Sequence, residues 1–528
     1  FCRAMAALWA TPLAFRAAFA LADLLAALAL AGVLARRGSP PTWLALFALS
    51  PLSLAMGAGE GHLDALVALG ASLSLAAFTA RRDGLGFLCL GAAGLVKYPA
   101  FLLVPFFLRP GNLRQALACL IPFLCFWPYR EAGPECFRSL VLFAGHVAHG
   151  GPLTALVWPV CGALAPAVSL GLGGAALLAG WLAVQDRGRG PLFACLTGLG
   201  ALPTVYPWYF LMALPFWTLR PGWPALWLLA AQGLAVTPAW HRAQALGGEG
   251  FVMVLVWLPF ALLLAWSLWR PRLAAPARPG NVARRLSVVV PARNEGKRLL
   301  RCLESLDGTG VYEIIVADGG STDDSAALAA ARGAKVVTAR GGRGGQIAAG
   351  LAVCQGEAVL VLHADAVLAP DAPARIMAAL ARWPEAVGGV VGMDYDARRA
   401  GLGLMGALNA LRARVAGIGF GDQGQFFRPE SLADVGGFPA LALMEDVELS
   451  LRLREAGETL CLGGGVTASG RRWAGPGLGG KAVGVVGMCL GYLAARRLGL
   501  ADATGRRYYR RYYGREPWPE PKRPTTRL

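Results

Sequence analysis

Apolar positions follow two regimes along this chain. Up to about residue 270 they come in long runs, close to the ~20 residues that cross a bilayer. The runs lie at roughly 13–35, 42–58, 63–79, 85–108, 113–128, 151–169, 170–186, 191–219, 222–238 and 251–269. Pro and Gly interrupt several of them, which predicts re-entrant or broken spans. From Leu286 to about 470, short β-branched runs alternate with Ala-rich segments. Ser287–Pro291, Glu313–Ala317, Lys335–Thr338 and Val359–Leu362 read as strands, with helices near 295–306, 323–332 and 345–354. That order predicts a parallel sheet with covered faces. Ser321 and Thr322 stand where a helix N-cap is expected.

The punctuation between these blocks sets the boundaries. Residues 1–270 form the multi-span region, and residues 271–285 are a Pro- and Arg-rich linker. Residues 286–475 form the α/β domain. Residues 476–500 turn apolar again and end in Arg496-Arg497, and they read as a helix docked on a membrane surface. The tail, 501–528, is basic and aromatic; either it touches anionic lipid headgroups or it is a disordered terminus.

Composition supports the membrane reading. The chain has 528 residues and is 56% hydrophobic, too apolar for an ordinary soluble protein of this length. A net charge of +18 would suit nucleic acid, but no basic stripe with interleaved aromatics exists, so that partner is not expected. Instead Arg36, Arg37, Arg81, Arg82, Arg109, Arg114, Arg187, Arg189, Arg220 and Arg270 flank apolar runs, as cytoplasmic loops require. This sidedness puts Gly59–Asp64 and Tyr206–Tyr209 outside, while 129–190 obeys no consistent parity. The 11 cysteines contain no C-x-x-C pair, which excludes a zinc ribbon or thioredoxin-like site. The sequence opens on Phe1 rather than Met, so its natural start is expected upstream.

Chemistry-bearing residues fall at the predicted strand ends. Pro291-Ala-Arg-Asn-Glu295 follows the first strand, Asp318-Gly-Gly-Ser-Thr-Asp323 the second, and His363-Ala-Asp365 the strand at 359–362. Ligands of open α/β sheets sit at that edge. A carboxylate there suits a divalent metal on a diphosphate, and the acidic pair Glu445-Asp446 could supply a base. For Glu295 the bland reading is a first-turn helix charge, and for Arg343 it is a solvated loop cation.

Five ordered segments, Val290–Glu295, Ala317–Asp323, His363–Asp365, Gly421-Asp-Gln-Gly424 and Met444–Leu449, resemble family-2 glycosyltransferases of the GT-A fold. Leu362-His-Ala-Asp365, Gly421–Phe426 and Arg471-Arg-Trp473 resemble the bacterial subgroup of selenodomain-associated transferase 2-like proteins. The resemblance covers about 286–500. It implies an α/β nucleotide-diphospho-sugar transferase domain of mostly parallel sheet, which would follow the α-helical polytopic membrane region predicted from the apolar runs. It implies donor contacts from Pro291, Asn294, Glu295, Asp318, Arg343 and Ala364, and Mg²⁺ or Mn²⁺ on Asp365. His363 replaces the first carboxylate of the family's usual D-x-D. Asp446 would be the base of an inverting transfer, with Glu445 the alternative. Asp422 and Gln423 would line the acceptor side. Arg471, Arg472 and Trp473 would hold leaving phosphate or an acceptor ring; the Gln that precedes them in processive members is missing.

Glu60, His62, Asp64 and Lys97 are charges within or beside apolar runs, which marks them as functional candidates. Gly61–Asp64, Lys97-Tyr-Pro99 and Tyr206–Tyr209 resemble polyprenol-phosphate-sugar-dependent GT-C glycosyltransferases. That resemblance implies roles for His62, Asp64, Lys97 and Tyr209 toward a lipid phosphate or acceptor. Their bland readings are surface loop charges and, for Lys97, a snorkelling side chain.

The expectation is therefore a membrane-bound inverting glycosyltransferase of a bacterial inner (plasma) membrane, with its GT-A domain cytoplasmic. Its partners would be a nucleotide-sugar donor and a lipid or glycan acceptor, and its membrane half a second, lipid-linked-donor transferase. The alternative is a transporter or flippase with a nucleotide-sugar-binding regulatory domain. A nucleotidyltransferase would need a Gly-rich phosphate loop after the first strand, and Pro291–Glu295 offers none.

Overall fold

The structure is a computed structural model that describes residues 11–138, 151–184, 189–219, 221–234, 249–269, 285–384, 386–396, 402–470 and 478–514. It divides into two compact units, Phe1–Ser267 and Leu268–Leu528. Most of the 271–285 linker, Arg471, Arg472, Trp473 and the last part of the tail lie outside the described residues.

The first unit is helical. Among its described residues two helices, Pro12–Arg36 and Pro152–Leu182, are long and apolar enough to cross a membrane. Asp64–Thr79, Asp83–Val96, Tyr98–Phe107 and Leu255–Trp266 are apolar but shorter. The ten runs expected from the sequence thus resolve mostly into broken pieces. Proline explains part of this, since it removes a helix donor and clashes with the preceding turn. Pro99 and Pro105 chop the end of the 85–108 run into 3₁₀ and short α pieces. Buried Phe47, Phe78, Phe87, Phe107, Phe210 and Phe216 fill the core, with Phe78 and Phe107 stacked at 4.2 Å.

The second unit is α/β. Its elements run β1 Leu286–Ala292, α1 Gly296–Glu304, β2 Glu313–Asp318, α2 Ser325–Ala331, β3 Lys335–Thr338, α3 Gly342–Leu351 and β4 Ala358–Val361. They continue β5 Val367–Leu368, α4 Ala372–Arg382, β6 Ala386–Val390, β7 Met393–Tyr395, α5 Leu402–Val415 and β8 Gln425–Phe427. The last are α6 Glu445–Ala456, β9 Glu458–Cys461, β10 Val466–Ala468, α7 Leu478–Arg497 and α8 Ala501–Tyr513. A seven-stranded sheet has the order β3-β2-β1-β4-β8-β6-β9, and β5-β10-β7 form a second, three-stranded sheet. In the larger sheet β3, β2, β1 and β4 pair parallel, and β8 inserts antiparallel between β4 and β6. The β1 strand is buried throughout, as a central parallel strand covered on both faces must be.

Topology fixes the working edge. Parallel β1, β2, β3 and β4 point their carboxyl ends the same way. Antiparallel β8 begins there, because Gln425 pairs with Val361 at the end of β4. The loops 293–295, 319–324, 339–341, 362–366 and 421–424 therefore all open on one edge.

The tail differs from expectation. Residues 501–513 are helical, and Thr504, Gly505, Tyr508 and Tyr509 are buried within the α/β unit. Helix α7 also packs onto the domain through its second half, with Tyr492 and Leu493 buried.

Candidate active site

Strand β1 ends on a left-handed Asn294, with φ of 57°. Asn294 Oδ1 accepts from the Thr322 amide at 2.7 Å, and Ser321 Oγ accepts from the Asn294 amide at 2.9 Å. Ser325 Oγ accepts from the amides of Glu295 and Gly296. Ser321 and Thr322 are thus not the N-cap of α2, which starts at Ser325; they tie the β1 and β2 loops together. Asp318 is buried and accepts from the amides of Gly320 and Ser321 at 3.1 Å. Glu295 pairs with Arg298 at 2.6 Å, the first-turn arrangement of a helix charge. Gln346, which the sequence reading passed over, donates to the carbonyls of Ala292 and Ala317 and so joins the ends of β1 and β2. Pro291 lies within β1, and Ala364 is buried beneath the His363–Asp365 turn.

The acidic core forms across the sheet edge. Arg343, in the first turn of α3, donates to Glu445 and lies 3.6 Å from Asp446 Oδ2. It is not a solvated loop cation, because its side chain is only 19% exposed. Burial alone would depress this guanidinium, but Glu445, Asp446 and Tyr513 hold it above its ordinary value. Burial pushes the Glu445 carboxyl up to about 7 despite Arg343. Asp446 Oδ2 accepts from the Gly421 amide at 2.9 Å and Oδ1 from its neighbour Val447 at 2.8 Å. These bonds fix the carboxylate plane. The helix that carries both acids starts from Met444, a non-glycine residue at φ 68°, a conformation that costs about 1–3 kcal/mol and marks functional turns.

The Gly421–Gly424 turn delivers Asp422 to this core. Burial first, with Asp446 and Asp365 adding, raises its carboxyl to about 6 against the pull of Arg412. Asp422 Oδ1 is buried without a hydrogen-bond partner among the described residues. A Cβ at position 421 would strike the His363 imidazole, so glycine is required for the turn to seat on the strand end. Gln423 departs from expectation. It is 1% exposed and turns inward, its Oε1 accepting from Arg412 at 2.8 Å and from the Phe420 amide at 3.0 Å. It shapes the turn instead of facing an acceptor. Arg412 was not anticipated either; its guanidinium lies 3.3 Å from the Phe420 ring centroid.

Among the described residues no three or more His, Cys, Asp or Glu side chains group as a metal site. A donor-bridging cation needs fewer, since Mg²⁺ is commonly held by one or two carboxylates plus substrate phosphates. Asp365, near enough to act electrostatically on Asp422, offers hard oxygen of that kind.

The helical unit gathers its own candidates. Lys97 Nζ donates to both Asp64 oxygens at 2.7 and 2.8 Å and sits 3.9 Å from the Tyr209 ring centroid. Lys97 is therefore paired rather than snorkelling. His62 stacks on Trp208 at 4.3 Å, and Trp208 on Tyr206 at 4.7 Å. Glu60 lies 3.3 Å from His62. All four candidates, His62, Asp64, Lys97 and Tyr209, belong to one cluster.

A cation held between two carboxylates, with more carboxylates beside it, thus stands at the carboxyl edge of a largely parallel sheet, where open α/β sheets bind their ligands. Residues 287–445 match the model for Glycosyl transferase family 2, so the α/β unit carries a glycosyltransferase family-2 domain. No curated protein matches the chain. Solved structures that resemble it in part include the following. The mannosyltransferase PcManGT from Pyrobaculum calidifontis, solved with GDP-Man and Mn²⁺, is 21% identical over 39% of this chain and 61% of its own, with a TM-score of 0.30. Glucosyl-3-phosphoglycerate synthase from Mycobacterium tuberculosis, solved with Mn²⁺, UDP-Glc and phosphoglyceric acid, is 24% identical over 43% and 87%, at 0.31. TarS from S. aureus is 19% identical over 35% and 36%, at 0.27.

Proposed function

We propose that the protein is a membrane-bound inverting glycosyltransferase. Its donor is a nucleotide-diphosphate sugar, and its acceptor is a hydroxyl or lipid phosphate at the cytoplasmic face of a bacterial inner membrane. The observation that carries this reading is the convergence of Arg343, Glu445, Asp446 and Asp422 at the sheet edge that also bears Asp318 and Asp365.

The roles follow from access and charge. Asp446 is the base: its side chain is 11% exposed against 1% for Glu445, and the Gly421 and Val447 amides hold its orientation. It takes the proton of the acceptor hydroxyl while that oxygen bonds to the anomeric carbon and the bond to the donor diphosphate breaks. Glu445 keeps Arg343 beside the reaction, where a guanidinium can meet phosphate oxygens. Asp318 and the Asn294 loop form the nucleoside end. Asp365 would hold Mg²⁺ or Mn²⁺, which when bound supplies charge neutralisation to the departing diphosphate.

The helical unit supports a second role. Its buried Asp64–Lys97 pair with the Tyr206–Trp208–His62 stack favours a site for a sugar or lipid phosphate, as a lipid-linked-donor transferase requires. A carboxylate–ammonium pair in an apolar bundle is costly and is kept where it works.

Asp446→Asn tests the main reading. Sugar transfer should fall about 10²–10⁴-fold, the usual contribution of a positioned base, while donor binding by calorimetry stays within twofold. Unchanged transfer removes Asp446 from the role; an unsubstituted chain that binds donor but never transfers sugar favours the transporter reading.

A further inference from the structure

A groove of about 480 Å³ runs between α7 and α8, away from the catalytic carboxylates. Its walls are two helical stripes. Lys481, Gly484, Val485 and Met488 recur at helical spacing on α7; Tyr508, Arg511 and Tyr512 do so on α8. The volume falls within the ~300–1,000 Å³ of ordinary ligand pockets. Among the described residues no acidic side chain lines it, while two cations do.

Helix α7 has two unlike halves. The second is anchored: Tyr492 Oη donates to Glu448 at 2.8 Å, and Arg496 bonds Glu448 at 2.7 Å and Glu455 at 3.1 Å. The first stands out from the domain with Val483 at 72% and Val486 at 56% exposure. Added Cβ atoms at Gly480, Gly484 and Gly487 would meet nothing within 4 Å, so a smooth trough runs along this half. Apolar surface, a glycine trough, tyrosines and paired cations together fit a molecule with an acyl chain and an anionic head.

We infer that the α7–α8 groove binds a phosphate-headed membrane lipid, its headgroup on Lys481 and Arg511 and its chain along the glycine trough. This rests on the membrane reading above and deepens it. The same helix α8 meets the catalytic region: Gly505 abuts the Leu443 carbonyl, and Tyr513 acts electrostatically on Arg343. The lipid would therefore lie one helix away from the acceptor side.

Site-specific photo-crosslinking tests the assignment. A benzophenone residue is placed at position 488 of the full chain in nanodiscs of phosphatidylcholine, with or without phosphatidylglycerol, and adducts are read by mass spectrometry. The expected adduct is phosphatidylglycerol. Lys481→Gln/Arg511→Gln should weaken it about thirtyfold, from roughly a fivefold contribution per cation at a lipid surface. Gly484→Leu/Gly487→Leu, which fills the trough without touching the anchored half, should abolish it even if the charge variant misfolds. Donor hydrolysis should persist in both variants, which separates this proposal from the transferase reading tested at Asp446. Equal labelling of phosphatidylcholine, undiminished labelling in both variants, protection of position 488 by inorganic phosphate alone, or a crosslink to a second copy of the chain would each overturn it.

Discussion

Replacing Arg343 by methionine should loosen the catalytic helix, by an amount that grows with pH. The guanidinium bonds Glu445 and lies 3.6 Å from Asp446. Because the Glu445 side chain is 1% exposed, methionine leaves that carboxylate with neither water nor a cation. Removing one partner of a buried pair costs about 3–5 kcal/mol. The lower figure is about 150-fold in an opening equilibrium at ~1.36 kcal/mol per decade. The Glu445 carboxyl titrates at about 7 in the folded chain against an ordinary 4.5, since burial raises it more than Arg343 lowers it. A raised folded value means its burden on stability is absent below 4.5 and accumulates up to about 7. Without Arg343 the folded value climbs further, so the burden keeps growing above neutrality. Hydrogen exchange of peptides spanning α6 in the full chain reads this locally. The variant should differ little from wild type near about pH 5 and exchange about 100-fold faster near about pH 8. Arg343→Met/Glu445→Gln should recover most of the loss. Equal loosening at both pH values, or a double variant as loose as the single one, would refute the pairing argument.

Three further outcomes are expected. Gly505→Val would bring its Cβ to 2.9 Å from the Leu443 carbonyl; the overpacking should cost about 1–3 kcal/mol, and turnover should fall more than donor affinity, measured as kcat against Kd. Glu448→Gln should release α7 at neutral pH, seen as faster exchange of residues 489–497. Burial would raise the Glu448 carboxyl, but Arg496, Tyr492 and Arg452 hold it below its ordinary value; its contribution is therefore present above that ordinary value, and the variant's deficit should vanish as pH falls through the depressed one. Asp64→Asn and Lys97→Met should each destabilise the detergent-solubilised chain by about 3–5 kcal/mol as half-broken pairs, read as a lower unfolding temperature, while the double variant loses less than either.

The sheet edge was legible in sequence because parallel βαβ order sends every strand's carboxyl end the same way. Knowing that Asp318 and Asp365 follow strands was enough to place them together. Side-chain direction was not legible. Gln423 follows Asp422 in a tight turn, and only the position of Arg412 decides which one faces inward. The Arg343–Glu445 contact spans 102 residues and the Tyr492–Glu448 contact 44, distances over which no local pattern carries information. In the helical unit the candidate charges were named one by one from their cost. Their assembly depends on Lys97 reaching back 33 residues to Asp64, which periodicity does not encode. The tail misled for another reason: four Arg and four Tyr within Arg506–Tyr513 look like a solvated segment, yet Tyr508 and Tyr509 bury their rings while the cations stay outside.

Helix α6 then acquires a meaning that its motif does not supply. Its first turn carries three acids, each committed to a different neighbour. Glu445 holds Arg343 of α3, Asp446 the Gly421 turn, and Glu448 the Tyr492–Arg496 end of α7. Like charges crowded into one turn repel, and Arg343, the Gly421 amide, and Arg452 with Arg496 offset that repulsion at Glu445, Asp446 and Glu448. Losing the α7 contact would leave Glu448 buried and charged two residues from the base. The cost would fall on the turn that orients Asp446. An apolar helix whose exposed half is suited to lipid is thus hydrogen-bonded to the turn that holds the candidate base, and any force that shifts α7 must act on the orientation of Asp446.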